Sequence, residues 1–339
     1  MKNRGLLPVM FAVLIVAACD AARQNEQVPP SPMRDPALQE AMSNFAPATV
    51  EVELKKVSDH VYFVEGVPGI ATDNQGFISN AGAVVTDAGV VVFDALGTPS
   101  LAHLMLEKLR AVTDQPIVKV IVSHYHADHI YGLQVFKEQG AEIIAPAGAL
   151  DYLNSEQAES RLEERRFSLD PWVNETTHLV APDRLLQKSE RFSVGGVDFT
   201  VSVLGSAHSD GDLTLYVEPD RVLFSGDIIF EGRVPFLGDA NTRTWLDVLE
   251  RMEALKLVAL IPGHGPLAAD PNQAIALTRR YLARVREVMG TAADDMTAFA
   301  EAYERADWSE FENLPAFEEA HRRNAYQVYL SMEEELAEN

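Results

Sequence analysis

Residues 117–132, IVKVIVSHYHADHIYG, join a run of β-branched residues to three histidines and an aspartate packed within six positions. The apolar run reads as a buried strand. Alternating residues of a short extended segment point the same way, so His124 and His126 can face one point. The next turn can bring Asp128 and His129 toward a neighbouring point. One loop can thereby supply ligands to two adjacent metal ions, and a buried strand that ends this way needs a layered sheet around it.

The rest of the chain supplies that sheet. Short β-branched runs begin near Val50, in VEVELKKV, HVYFVEG and FISNAGAVVTDAGVVVFDA, and the turn Thr86-Asp87-Ala88-Gly89 between two apolar runs predicts a hairpin. Thr98-Pro99 predicts a helix start, with Thr as N-cap and Pro at the first helical position. Further strands are predicted at EIIAP, VDFTVSVLG, LTLYVEP, RVLFSG and LVALIPG, and helices near 148–166 and 242–255. Strands mixed with helices in this order predict an α/β (α+β) layered domain over residues 49–270. Past Pro271 only helical patterns remain. Three amphipathic stretches form a C-terminal extension over 271–339, either a cap on the core or a small appended subdomain.

Three more residues repeat the placement of the opening loop. His208 follows FTVSVLGSA, Asp227 follows RVLFSG and His264 follows LVALIPG, so each is predicted just beyond an apolar strand. Open sheets place their sites where strand ends converge. These positions absorb five of the nine histidines. The remaining four, His60, His103, His178 and His321, lack a strand-end partner and read as structural or exposed. Asp210 and Asp212, in HSDGD, read as turn formers or acceptors behind the ligands.

The order H-x-H-x-D-H, then a distant His, an Asp and a last His, resembles the metallo-β-lactamase superfamily over roughly residues 50–268. The resemblance implies an αβ/βα sandwich, two mixed sheets back to back with the metals at one edge. It implies that His124, His126 and His208 bind a first metal, that Asp128, His129 and His264 bind a second, and that Asp227 bridges both. Asp94, which ends VVVFDA, matches an aspartate that braces the ligand loop in that superfamily. Imidazole and carboxylate donors without a thiolate suit two Zn²⁺, with Fe or Mn also compatible. The implied activity is hydrolysis of a small ester, lactone, thioester or amide. A metal-bound hydroxide would attack the carbonyl, and Asp128 would orient that nucleophile or pass a proton to the leaving group.

Zinc β-lactamases carry a cysteine where Asp227 stands and a lysine three residues later, where this chain has Phe230. Both departures argue against β-lactamase activity, although Arg233 offers a substitute cation. Two other classes are an iron-dependent persulfide dioxygenase, which uses a similar ligand set, and a non-enzymatic envelope binding lipoprotein, against which the full set of ligands argues. The stretches AHSDGDLTLYVEPDRVLFSGDIIFEGRVP, IPGHGP and HRRNAYQVYLSMEEE resemble the exported zinc metallohydrolases of quinoprotein relay systems. Tyr125, Trp172 and Arg233 are candidate substrate contacts, together with the loop over 66–76.

The N-terminus reads as an export signal over residues 1–18, with Lys2 and Arg4 ahead of an apolar run too short to span a bilayer well. LIVAAC resembles a bacterial lipobox, which makes Cys19 the expected lipid attachment site. It is the sole cysteine, so no disulfide can form. Asp20 resembles the signal that retains lipoproteins in the inner membrane, and the expected location is the envelope, facing the periplasm. Residues 19–48, rich in Pro, Gln and Asn, read as a tether. Removing Lys2 and Arg4 with the leader lowers the formal charge from −23 by two, to −25. A body this acidic is repelled by phosphate backbones. The expected partners are therefore a small-molecule substrate and, through Cys19, a membrane, with no nucleic acid.

Overall fold

Along GVVVF, residues Gly89–Phe93, Val90 and Val92 turn into one apolar core while Val91 and Phe93 turn into another. A strand whose side chains alternate and whose two faces are both buried must lie between two layers. The computed structural model describes residues 44–337 apart from Asp239. The leader, Cys19, Asp20 and most of the tether lie outside the described residues.

The first sheet has seven strands in sequence order: β1 (Leu54–Lys56), β2 (Val61–Val64), β3 (Ala81–Thr86), β4 (Gly89–Phe93), β5 (Ile117–Ile121), β6 (Glu142–Pro146) and β7 (Arg184–Leu186). The strands from β1 to β4 pair antiparallel, and those from β4 to β7 pair parallel. Helices α1 (Pro99–Arg110), α2 (Ala127–Ile130), α3 (Leu133–Glu138), α4 (Ala149–Leu153) and α5 (Glu156–Ser168) form the parallel crossovers. The second sheet contains β8 (Glu190–Val194), β9 (Val197–Gly205), β10 (Asp212–Val217), β11 (Val222–Phe230) and β12 (Ala259–His264). Its order is β12-β11-β10-β9-β8, with β11 and β12 parallel and the other pairs antiparallel. Outside it lie α6 (Thr242–Met252), α7 (Pro271–Asp294), α8 (Phe299–Arg305) and α9 (Phe317–Ala337).

Three apolar cores separate these layers, giving the expected αβ/βα order. One lies between the first sheet and its crossover helices, around Leu101, Met105, Val120 and Phe136. The middle core is sheet on sheet, with Phe93 stacked on Phe224 at 5.3 Å and Phe199 and Ile261 beside them. The outer core joins Leu223, Ile229 and Leu260 of the second sheet to Trp245 of α6, Tyr281 and Val285 of α7, and Val328 of α9. The C-terminal helices thus share one core with α6 and cap the second sheet. Among the described residues no helix is long and apolar enough to cross a membrane.

Several predicted elements form for the reasons given. Thr86 pairs with Gly89 to close the hairpin, and the Thr98 hydroxyl accepts from the Leu101 N–H at 3.1 Å as N-cap of α1. Two differ. The helix expected over 148–166 is broken at Asn154-Ser155, because the Ser155 hydroxyl caps a new helix by accepting from Ala158 N–H. β11 does not stop at Gly226 but runs through Asp227 to Phe230, with its pairing to β12 interrupted around Gly226. Residues 44–48, compositionally part of the tether, dock on the domain: Phe45 is buried and the Ser100 hydroxyl donates to Ala46 O.

The middle core sets the distance between the sheets, and Phe224 fills it so closely that a Cβ on Gly82 would lie 1.9 Å from its ring. Phe224→Ala is expected to lower the unfolding free energy by about 3–5 kcal/mol. Urea denaturation of the purified protein measures this loss.

Candidate metal centre

Each strand end delivers one part of the site. β5 leads into Ser123–His129, the turn after β9 carries His208, β11 carries Asp227 and β12 ends on His264. Asp227 is therefore an in-strand ligand, contrary to the expectation that it lies beyond one. Gly226, at φ +52°, interrupts the ladder just before it, and bulges of this kind re-aim a side chain. A Cβ on Gly263 of β12 would sit 1.9 Å from Asp227 Oδ1, so only glycine leaves this carboxylate its place.

The ligand atoms converge in two groups, His124, His126, His208 and Asp227 in one and Asp128, His129 and His264 in the other, each within 4.8 Å. In the first, His126 Nδ1 lies 2.9 Å from His124 Nε2 and 3.1 Å from His208 Nε2, and Asp227 Oδ2 is 3.4 Å from His208 Nε2. In the second, His264 Nε2 lies 3.2 Å from Asp128 Oδ2, and His129 Nε2 lies 3.6 Å from it. Asp227 belongs to both: Oδ1 is 3.2 Å from His129 Nε2 and Oδ2 is 3.4 Å from His264 Nε2.

Hydrogen bonds behind the ligands fix which nitrogen faces inward. Asp94 accepts from the Ser123 N–H at 2.7 Å, from the Ser123 hydroxyl at 2.8 Å and from His129 Nδ1–H at 2.9 Å. The Ser123 hydroxyl hydrogen is committed to the bond with Asp94, so the Ser123 oxygen accepts from His124 Nδ1–H at 2.8 Å. The Ile78 carbonyl can only accept, so His264 Nδ1 donates to it at 2.8 Å. His124, His129 and His264 therefore all aim Nε2 at the centre. Asp212, buried, holds the His208 turn by accepting from Ala207 N–H and Ser209 N–H. Buried His129 Nε2 and Asp227 Oδ1 lie 3.2 Å apart but make no well-aligned hydrogen bond with each other or with another group. Convergent nitrogen and carboxylate donors left this way fit divalent metal ions, which would engage both.

Electrostatics divides the histidines. Burial holds His124 and His126 below the ordinary imidazole value and pushes His208 down to about 3, which keeps all three neutral. Burial would lower His129 and His264 too, but the carboxylates outweigh it. Asp227, Asp128 and Asp94 hold His129 well above its usual value, and Asp227 with Asp128 raises His264 to about 9.

The centre floors a cleft of about 440 Å³. Tyr125 and Arg233 line it, although Tyr125 is buried and its hydroxyl donates to Val180 O. Trp172 does not line it: its indole N–H donates to Pro47 O at 3.4 Å, anchoring the docked N-terminal segment. Of the 66–76 loop, Gly69 reaches the cleft. The sequence reading did not single out Ser123, the Ile78 carbonyl, or the arginines Arg161, Arg165 and Arg323 on the cleft walls. His60, His103, His178 and His321 all lie outside the centre; His60 pairs with Asp220.

The family model described as the metallo-beta-lactamase superfamily matches residues 74–264, more than half of the chain. The chain belongs to the metallo-beta-lactamase superfamily. It is an enzyme of that superfamily, a hydrolase, and its relatives differ widely in substrate. A metallo-beta-lactamase of Chryseobacterium indologenes is 22% identical over 60% of this chain and 77% of its own length. An acyl-coenzyme A thioesterase of Gallus gallus is 30% identical over 53% of this chain and 68% of its own. A solved sec-alkylsulfatase from Pseudomonas superposes with a TM-score of 0.66 at 20% identity, covering 83% of this chain and half of that one. This last likeness shows the fold.

Two outcomes follow from the geometry of this superfamily member. Asp94→Asn weakens the acceptor for His129 and Ser123, and metal affinity is expected to fall about 10–100-fold, read by competition with a chromophoric chelator. In the metal-free protein His129 and His264 hold protons at pH 7 and must release them to become ligands. Metal loading at pH 7 is therefore expected to release protons from these imidazoles in addition to any from metal-bound water, the His264 share falling as pH rises past about 9. Calorimetry in buffers of different ionisation enthalpy counts them.

Proposed function

We propose that the chain is a dinuclear zinc hydrolase that cleaves the acyl bond of a small ester, thioester, lactone or amide. The observation that carries this reading is the pair of adjoining ligand groups, built from imidazole and carboxylate donors alone, with Asp227 of the first group 3.2 Å from His129 Nε2 and 3.4 Å from His264 Nε2 of the second. His124, His126, His208 and Asp227 would hold one zinc ion and Asp128, His129 and His264 the other, and such ions would supply an activated water of pKa about 7 and Lewis-acid polarisation of a carbonyl.

The chain's own residues do the rest. Asp128 reaches the cleft with its side chain 23% exposed, while its Oδ2 is 3.2 Å from His264 Nε2. His129 and His264 hold it below the ordinary carboxylate range against the opposing effect of burial, so it is ionised and able to orient the nucleophile and carry its proton to the leaving group. Phe230 stacks flat on His264, ring centroids 5.1 Å apart, and makes the adjoining wall apolar, which excludes water from the reacting carbonyl. The relationship to an acyl-coenzyme A thioesterase favours a thioester or activated ester over an amide. Phe230 also removes the cation that β-lactamases place nearest the metals, so β-lactam hydrolysis is the second reading.

A panel of thioesters, aryl esters, lactones and a chromogenic cephalosporin offered to the zinc-loaded protein tests this. The expected result is two zinc ions per chain and turnover fastest on thioesters or aryl esters. Asp128→Asn is expected to lower kcat by about 10²–10⁴-fold. One bound iron with oxygen-dependent turnover, or a cephalosporin rate far above all acyl rates, overturns it.

A further inference from the structure

The cleft has an outer wall that the family-matched region supplies only in part. Arg233 lines it from the loop after β11, and Arg323 lines it from α9, far beyond residue 264 where the family match ends. Three contacts with the C-terminal extension hold the Arg233 loop in place, and a fourth, within the extension, fixes Asn324. Val234 N–H donates to Pro315 O at 3.0 Å, Leu237 N–H donates to Asn324 Oδ1 at 3.0 Å, and Asn324 Nδ2 donates to Pro235 O at 2.7 Å and to the Tyr281 hydroxyl at 3.0 Å. Asn324 is buried and adjacent to Arg323, so one turn of α9 both fixes the loop and adds a cation to the cleft that the loop lines.

Both guanidinium groups lie over aromatic rings and lack an anion. Arg233 sits 5.9 Å from the centroid of Phe230, which itself stacks on His264, and Arg323 sits 5.4 Å from that of Phe236. Arg233 Nε is buried and has no hydrogen-bond partner. Among the described residues neither arginine has a carboxylate within ion-pair distance, although Asp227, Asp128 and Glu319 act on Arg233 from farther away. Across the cleft, Arg161 and Arg165 share the single carboxylate of Glu164. Among the described residues, Asp210 is the one acidic residue that lines the cleft outside the metal centre. In a chain of formal charge −23, this gathering of cations around one cleft is a local reversal of sign that favours an anion there.

We propose that Arg233 and Arg323 clamp a terminal oxyanion of the substrate, a carboxylate or a phosphonate-like group, remote from the bond that is cleaved, and that the C-terminal extension is the element that completes this subsite. The guanidinium fork matches such groups in geometry and charge. This rests on the metal-hydrolase reading for the position of the other end of the substrate, which the metal centre holds.

The test is calorimetric binding to the zinc-loaded full chain. Glutarate, adipate and pimelate are compared with monocarboxylates of the same length, and with the matching ω-phosphono acids as a second arm. At one length the second oxyanion is expected to tighten binding at least about tenfold, the effect of one charge-assisted hydrogen bond. The arm with the larger gain identifies the group. Arg233→Gln and Arg323→Gln are each expected to remove most of that gain, and Arg323→Lys to keep part of it. Arg323 lies on an exposed helix face, so its variants carry the test if Arg233→Gln fails to fold. Equal affinity for singly and doubly charged acids at every length, or a gain that survives both substitutions, overturns the inference. Arginine-dependent binding without turnover of any acyl substrate would uphold the subsite and sink the hydrolase reading alone.

Discussion

Everything at the metal centre depends on the packing of one sheet against the other. Neither ligand group belongs to a single sheet: His124, His126, Asp128 and His129 leave the first sheet at the end of β5, while His208, Asp227 and His264 come from the second. The middle core, with Phe93 on Phe224, therefore fixes how far apart the two halves of each group stand. Interiors this closely packed resist small displacements, and ligand constellations lose function on shifts of about 1 Å. The residues that position the chemistry are thus apolar ones well away from it.

A second constraint is local. Asp94 adopts φ +62°, a left-handed conformation that costs a non-glycine residue about 1–3 kcal/mol. It is over-determined there, because its carboxylate accepts from Ser123 twice and from His129 once, while its own N–H donates to Ile121 O. The strained turn places the carboxylate under the loop that follows the neighbouring parallel strand, and the hydrogen bonds hold both in register. Glycine solves the same problem on the other sheet, where Gly226 bends β11 and Gly263 leaves room for Asp227.

What was legible in the sequence follows from the range of the interactions. Alternating apolar residues, the Thr98-Pro99 cap and the hairpin at Thr86–Gly89 are decided by neighbours in the chain, and these elements form as read. The ligand residues are visible because histidine and aspartate at strand ends are chemically distinctive. Ser123 and the Ile78 carbonyl were not, since a backbone carbonyl carries no residue-type signature and a serine next to a histidine is ordinary. Asp227 was misplaced because local pattern shows the apolar run ending, while the pairing with β12 that extends the strand is non-local. Trp172 illustrates the converse: a large aromatic near polar loops suggested a ligand contact, and its partner turned out to be the backbone of a segment 125 positions away.

Arg323 is the strongest case of a residue that sequence alone disguises. On α9 it reads as one charge among many on a solvated helix face, and only the tertiary fold brings it to the cleft that Arg233, ninety positions earlier, also lines. The position three residues after Asp227 sharpens what this juxtaposition means. Phe230 lies flat on His264, so it cannot anchor an anion, and it separates the metal centre from the first available cation by the thickness of a ring. An anionic group held at Arg233 and Arg323 is therefore farther from the metals than one held directly at position 230 would be. A substrate that spans both needs a linker between its scissile carbonyl and its charge, which a flexible acyl or thioester chain has and a compact bicyclic lactam lacks.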